Sequence, residues 1–113
     1  MGLMEDYIQV LTTVPSEKDG VALARSIASA RLAASVQIIG PIRSLYWWRG
    51  ELRDEQEWQL AIMTTRVLFD TLEVHIKANH SYETPEIIAT EITAGSDEYL
   101  AWISAETRRI DAS

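Results

Sequence analysis

The densest run of chemically capable side chains is His80-Ser81-Tyr82-Glu83-Thr84-Pro85-Glu86, an imidazole, a phenol and two carboxylates within seven residues. Imidazole and carboxylate together do general acid–base work, or hold a divalent ion through nitrogen and oxygen. The run lies between a helical and an extended pattern, so it reads as a loop, where a scaffold commonly presents functional groups. A plainer alternative fits the same letters: a capped helix end and a proline-fixed turn, with Tyr82 packed and the glutamates solvated. His75 precedes His80 by about 140° of helical rotation, so the two do not share a face as helical zinc ligands do.

Other catalytic patterns are missing. The five glycines form no phosphate loop, and there is no nucleophile elbow and no His-Glu-x-x-His. With no cysteine in the chain, disulfides and thiolate metal sites are excluded. A length of 113 residues fits one domain over 1–113. The net charge of −7 comes without a basic patch, which argues against nucleic acid as a partner. No apolar run reaches the ~20 residues of a membrane helix. Met1-Gly2-Leu3-Met4-Glu5-Asp6 has neither a basic start nor an apolar stretch, so no signal peptide is expected and the expected compartment is the cytoplasm.

The elements that must position the loop are organised around Ser44-Leu45-Tyr46-Trp47-Trp48-Arg49-Gly50-Glu51-Leu52. Arg49-Gly50 reads as a tight hairpin turn, since glycine accepts positive φ. Trp48 then faces Glu51, Trp47 faces Leu52 and Tyr46 faces Arg53. Strand alternation puts Leu45, Trp47 and Leu52 on one face, Tyr46 and Trp48 on the other. Covering about 150 Å² per aromatic at about 25 cal/mol/Å² is worth roughly 4 kcal/mol each as an upper bound. A two-stranded arm has no second layer of its own, so another subunit is expected to cover it. Tyr46 and Trp48 suit either that interface or the wall of a ligand cleft.

The remaining elements follow from periodicity. Residues 6–14 read as a strand ended by Pro15, and Ser16 caps a helix running to about Leu32. A strand from Ser35, bent at Gly40-Pro41, continues into the arm and returns from Leu52 to about Thr65. A helix follows over Val67–Ala78, with Asn79 as a left-handed cap, then a strand over Glu86–Thr93. Ser96 opens a last helix, Tyr99–Arg109, and both Trp58 and Trp102 are expected in the core. The order β-α-β-β-α-β-α with right-handed crossovers gives an α+β, ferredoxin-like split βαβ sandwich of sheet order 4-1-3-2, its long second strand on an edge.

Five segments carry a resemblance: Leu11-Thr12-Thr13-Val14-Pro15-Ser16-Glu17, Arg31-Leu32-Ala33-Ala34-Ser35-Val36, the Ser44–Leu52 arm, His80–Ile87, and Tyr99-Leu100-Ala101-Trp102-Ile103. Together they resemble the CutA divalent-ion tolerance family over about residues 7–109. The resemblance implies a ferredoxin-like homotrimer in the cytoplasm, with each arm extending a neighbour's sheet. It also implies a link to metal tolerance, a proposed copper site and no settled catalytic activity. Relatives carry Cys at the positions of Thr12 and Ser35, some a second His at Asn79, and many a Lys at Met63. With only His80 of that set retained, weak Cu(II) or other divalent-cation binding is expected. The expected cleft, between subunits, brings His80 as metal ligand and Tyr82, Glu83 and Glu86 against Tyr46 and Trp48 for a metal ion or small ligand. The alternatives are a PII-like signalling trimer, an unrecognised enzyme using His80, Tyr82 and Glu83, and an assembly partner for another protein.

Overall fold

The computed structural model describes residues 6–109, so the leader reading of Met1–Glu5 lies outside the described residues. The elements are β1 (Tyr7–Val14), α1 (Glu17–Ser29), β2 (Ser35–Trp48), β3 (Glu51–Thr65), a 3-10 turn (Arg66–Leu68), α2 (Phe69–Ala78), β4 (Ile88–Glu91) and α3 (Asp97–Glu106). All four strands form one sheet in the order β2-β3-β1-β4, with every pairing antiparallel. This is the expected α+β, ferredoxin-like order, with β2 on an edge.

Alternation along β1 and β3 sends Ile8, Val10, Val14, Leu60 and Ile62 to one face. There they bury against Leu23 and Ile27 of α1 and against Leu68, Leu72 and Ile76. α3 takes the other face: Tyr7, which points opposite to Ile8, bonds the Ser104 hydroxyl, and Ile103 is fully buried.

Helix ends account for several differences from the sequence reading. Ser16 caps α1 by accepting from the Asp19 amide at 3.1 Å. The helix stops at Ser29 rather than Leu32, in a Schellman turn: Leu32 N–H bonds the Ile27 carbonyl and Arg31 N–H the Ala28 carbonyl. Arg31 fills the left-handed position usually given to glycine, with φ of 58°, and its guanidinium reaches the Glu106 carboxylate at 2.8 Å. Asn79 is not left-handed (φ −121°); its side-chain amide instead donates to the His75 carbonyl at 2.8 Å. β4 is shorter than Glu86–Thr93: Ile88–Glu91 pair with β1, and Ile92 adds one N–H bond to the Tyr7 carbonyl at 2.9 Å. Trp102, expected in the core, is 41% exposed and stacks against Tyr99 at the surface with centroids 5.5 Å apart.

β2 bends where expected. Its register against β3 shifts between Ile39 and Ile42, around Gly40-Pro41. Trp58 packs into the space that Gly40 leaves; a Cβ there would lie 2.4 Å from Trp58 Cδ1. Beyond the bend, β2 and β3 form the arm that stretches the molecule to 52 Å. Its turn has positive φ at both Arg49 (51°) and Gly50 (79°), as a type I′ hairpin requires. Gly40→Ala forces the Trp58 ring or the strand to move. It is expected to cost about 1–3 kcal/mol, read as a lower denaturant midpoint at unchanged slope.

Candidate functional site

The arm's two faces have different fates. Leu45, Trp47 and Leu52 lie on one face and are 60%, 72% and 57% exposed. Tyr46 and Trp48 lie on the other, half-buried, and wall a cleft of about 860 Å³ closed on its far side by Ser81–Glu86. Tyr82, Glu83 and Glu86 line the same cleft. These five residues line one cleft within a single chain. The loop after α2 is short enough to fold back across the base of its own arm.

Two loop side chains hold that position. His80 Nε2 meets the Thr13 carbonyl at 2.7 Å, and His80 Nδ1 accepts the Tyr82 backbone N–H at 3.0 Å. A carbonyl on one side and an amide donor on the other put the ring proton on Nε2. Both nitrogens are therefore committed within the chain, and neither meets a carboxylate. The Tyr82 ring lies 4.8 Å from the His80 ring, and its hydroxyl donates to Glu57 at 2.7 Å.

His80, expected as a metal ligand, here ties the loop to β1, and an ion would have to displace one of these bonds to reach it. Among the described residues no three His, Cys, Asp or Glu side chains come together as a metal-binding group. The cleft lining offers soft Cu(I) neither a thiolate nor a thioether. An acid–base pair built on His80 also lacks its carboxylate neighbour.

Charged groups line the rest of the cleft. Arg49 spans its mouth from the arm tip to Glu83 at 2.6 Å, with its guanidinium 5.3 Å from the Trp48 ring centroid. Tyr46 donates to Glu55 at 3.0 Å, which raises the Tyr46 phenol above its ordinary range. Arg43 grips Asp54 through two bonds, at 2.9 and 2.6 Å, and holds that carboxyl below its ordinary range. Burial, and then the bond to Glu57, push the Tyr82 phenol well above its ordinary value.

Glu57, only 5% exposed, was missed in the sequence. One signal pointed to it. Arg53, Glu55 and Glu57 share the face of Tyr46 and Trp48 once the strands are paired, so a charge on that face near the core had to meet something polar.

The element order, the sheet order and the long two-faced arm define a ferredoxin-like α+β protein with a cleft at the base of a β-hairpin. Residues 8–106 match the family model described as CutA1 divalent ion tolerance protein. The chloroplastic CutA 1 of Oryza sativa subsp. japonica is 46% identical over 101 residues, 89% of this chain and 57% of that protein. The divalent-cation tolerance protein CutA of Thermus thermophilus is 42% identical over 98 residues, 87% of this chain and 95% of that one. The chain thus spans little more than half of the rice relative's length. The crystal structure of CutA1 from Oryza sativa superimposes with a TM-score of 0.90 at 44% identity, covering 93% of this chain and 96% of that chain. The chain belongs to the CutA1 divalent ion tolerance family. No helix among the described residues is long and apolar enough to cross a membrane.

Removing the Tyr82 hydroxyl leaves the buried Glu57 carboxylate without its donor. Tyr82→Phe is expected to destabilise the chain by about 1–3 kcal/mol in chemical denaturation at neutral pH. Because folding raises the Tyr82 value, its contribution is fully present below the unfolded tyrosine value of about 10 and is lost as pH climbs toward the folded value. The gap between wild type and Tyr82→Phe should therefore narrow in strongly alkaline buffer.

Proposed function

We propose that this chain serves divalent-cation tolerance as a homotrimer without catalytic activity, in the cytoplasm, and that it takes up a small ligand in the cleft walled by Tyr46, Trp48, Tyr82, Glu83 and Glu86. The observation that carries this reading is the division of the arm. One face closes a polar cleft with the chain's own loop, while the other leaves Trp47 72% exposed beside Leu45 and Leu52. Covering Trp47 alone is worth roughly 4 kcal/mol at about 25 cal/mol/Å². An apolar face on a long edge hairpin is suited to a sister chain. The names of the relatives support the tolerance role, and the resemblance in the arm supports three copies. The rice relative's name, by contrast, places that protein in the chloroplast.

In this reading His80 fixes the loop rather than binding the ligand, Glu57 anchors Tyr82 from the cleft wall, and cation tolerance does not run through a copper centre at His80. The assembly is tested by light scattering: the wild type should have the mass of three chains, and Trp47→Glu should shift it toward one chain at micromolar concentration. A wild-type mass of one chain overturns the trimer. Calorimetry with Cu(II) tests the role of His80. The wild type and His80→Ala should show equally weak binding, whereas a loss confined to His80→Ala would return the imidazole to the site as a ligand.

A further inference from the structure

The cleft is lined by Arg43, Arg49 and Arg53 and by Glu57, Glu83 and Glu86, but acids beside the lining, Glu51, Asp54 and Glu55, also draw on those arginines. Each lining arginine faces an acid of its own chain: Arg43 pairs with Asp54 and Arg49 with Glu83, both at 2.6 Å. Arg53 lies 3.7 Å from Glu51 and 3.8 Å from Glu55. Glu57 and Glu86, both on the cleft wall, have no ion-pair partner among the described residues. Glu57 matters most. It is 5% exposed, and the one hydrogen bond it receives comes from a neutral phenol, Tyr82. A carboxylate taken out of water with a single neutral donor is under-compensated.

What surrounds the two carboxylates narrows the compensating charge. Tyr46, Trp48 and Tyr82 line the same cleft, and the Trp48 ring already draws a guanidinium to 5.3 Å. A small divalent ion keeps its water tightly and requires a shell of several oxygens. A large alkylammonium spreads its charge over apolar surface, loses water readily and is attracted to aromatic faces.

We propose that the cleft binds an organic ammonium ligand, its head group held between Glu57 and the rings of Tyr46, Trp48 and Tyr82, with Glu86 at the rim. This rests on the reading of the cleft as a ligand site and names the chemical class of that ligand.

Choline is the probe. The control is its uncharged carbon analogue, in which a tert-butyl group replaces the trimethylammonium. Each is titrated into the whole chain in its native assembly, followed by tryptophan emission and calorimetry. Choline should bind about tenfold or more tighter than the control. Glu57→Gln, which keeps an oxygen to accept from Tyr82, should weaken choline about tenfold while leaving the control unchanged. Glu86→Gln, on an exposed residue that does not endanger folding, should weaken choline in the same direction. Equal binding of choline and the control overturns the proposal, because apolar burial and not charge would then drive uptake. Absence of choline binding also overturns it. If the three-chain mass persists and Cu(II) or another small ligand still enters the cleft, only the ammonium assignment falls. If nothing enters, the cleft reading falls with it.

Discussion

A single slip in strand register decides what the cleft is made of. Up to Ile39, β2 meets β3 so that Ile38 lies opposite Leu60 on the helix-covered face. Past Gly40-Pro41 the pairing moves by one residue, and Ile42, Ser44, Tyr46 and Trp48 fall opposite Glu57, Glu55, Arg53 and Glu51. Because side chains alternate with period two, a one-residue shift exchanges the faces of everything beyond it. In an unshifted ladder Leu45 and Trp47 would face the loop, and Tyr46 and Trp48 would look away from it. The shift is stabilised where it occurs: the Trp58 ring lies where a Cβ on residue 40 would be, so bulk on β3 and its absence on β2 fit one another.

The loop is fastened to this frame by groups far apart in sequence. His80 reaches across to Thr13 on β1 and Tyr82 to Glu57 on β3. Both bonds close over the interior end of the cleft, where the surroundings are less wet and a hydrogen bond resists competition from solvent. The two residues also organise each other, since the Tyr82 amide donates to the His80 ring and the two rings lie in contact. This short run of sequence is therefore a structural strut on one side and a cleft wall on the other. The plainer reading of the same letters describes that strut, with Tyr82 packed and Glu83 and Glu86 exposed.

Much of the fold was legible in the chain because local rules govern it. The faces of the arm followed from alternation about Arg49-Gly50, and the order of the sheet followed from right-handed crossovers. Both are present in the structure, as is the bend at Gly40-Pro41. What stayed hidden depended on partners distant in sequence. Nothing near His80 announces Thr13 as its acceptor, and nothing near Glu57 announces Tyr82. Trp102 looked like a core residue by its type, yet the patch of sheet available to α3 is filled by Ile103, so the indole is left outside. Asn79 illustrates a subtler limit. A residue suited to a left-handed cap has a second way to satisfy a helix end, through its side-chain amide, and composition does not choose between the two.

The Arg49–Glu83 bridge has a physical consequence of its own. It joins the tip of the arm to the outer edge of the loop, and its two side chains are 68% and 70% exposed. Ion pairs so open to solvent are weak and fade as dissolved salt shortens the reach of charge, from about 10 Å at 0.1 M to about 3 Å at 1 M. The Tyr82–Glu57 contact is sheltered from that screening. The outer rim of the cleft therefore loosens as ionic strength rises while its floor holds its shape, so access from solvent is graded by the electrolyte around the molecule.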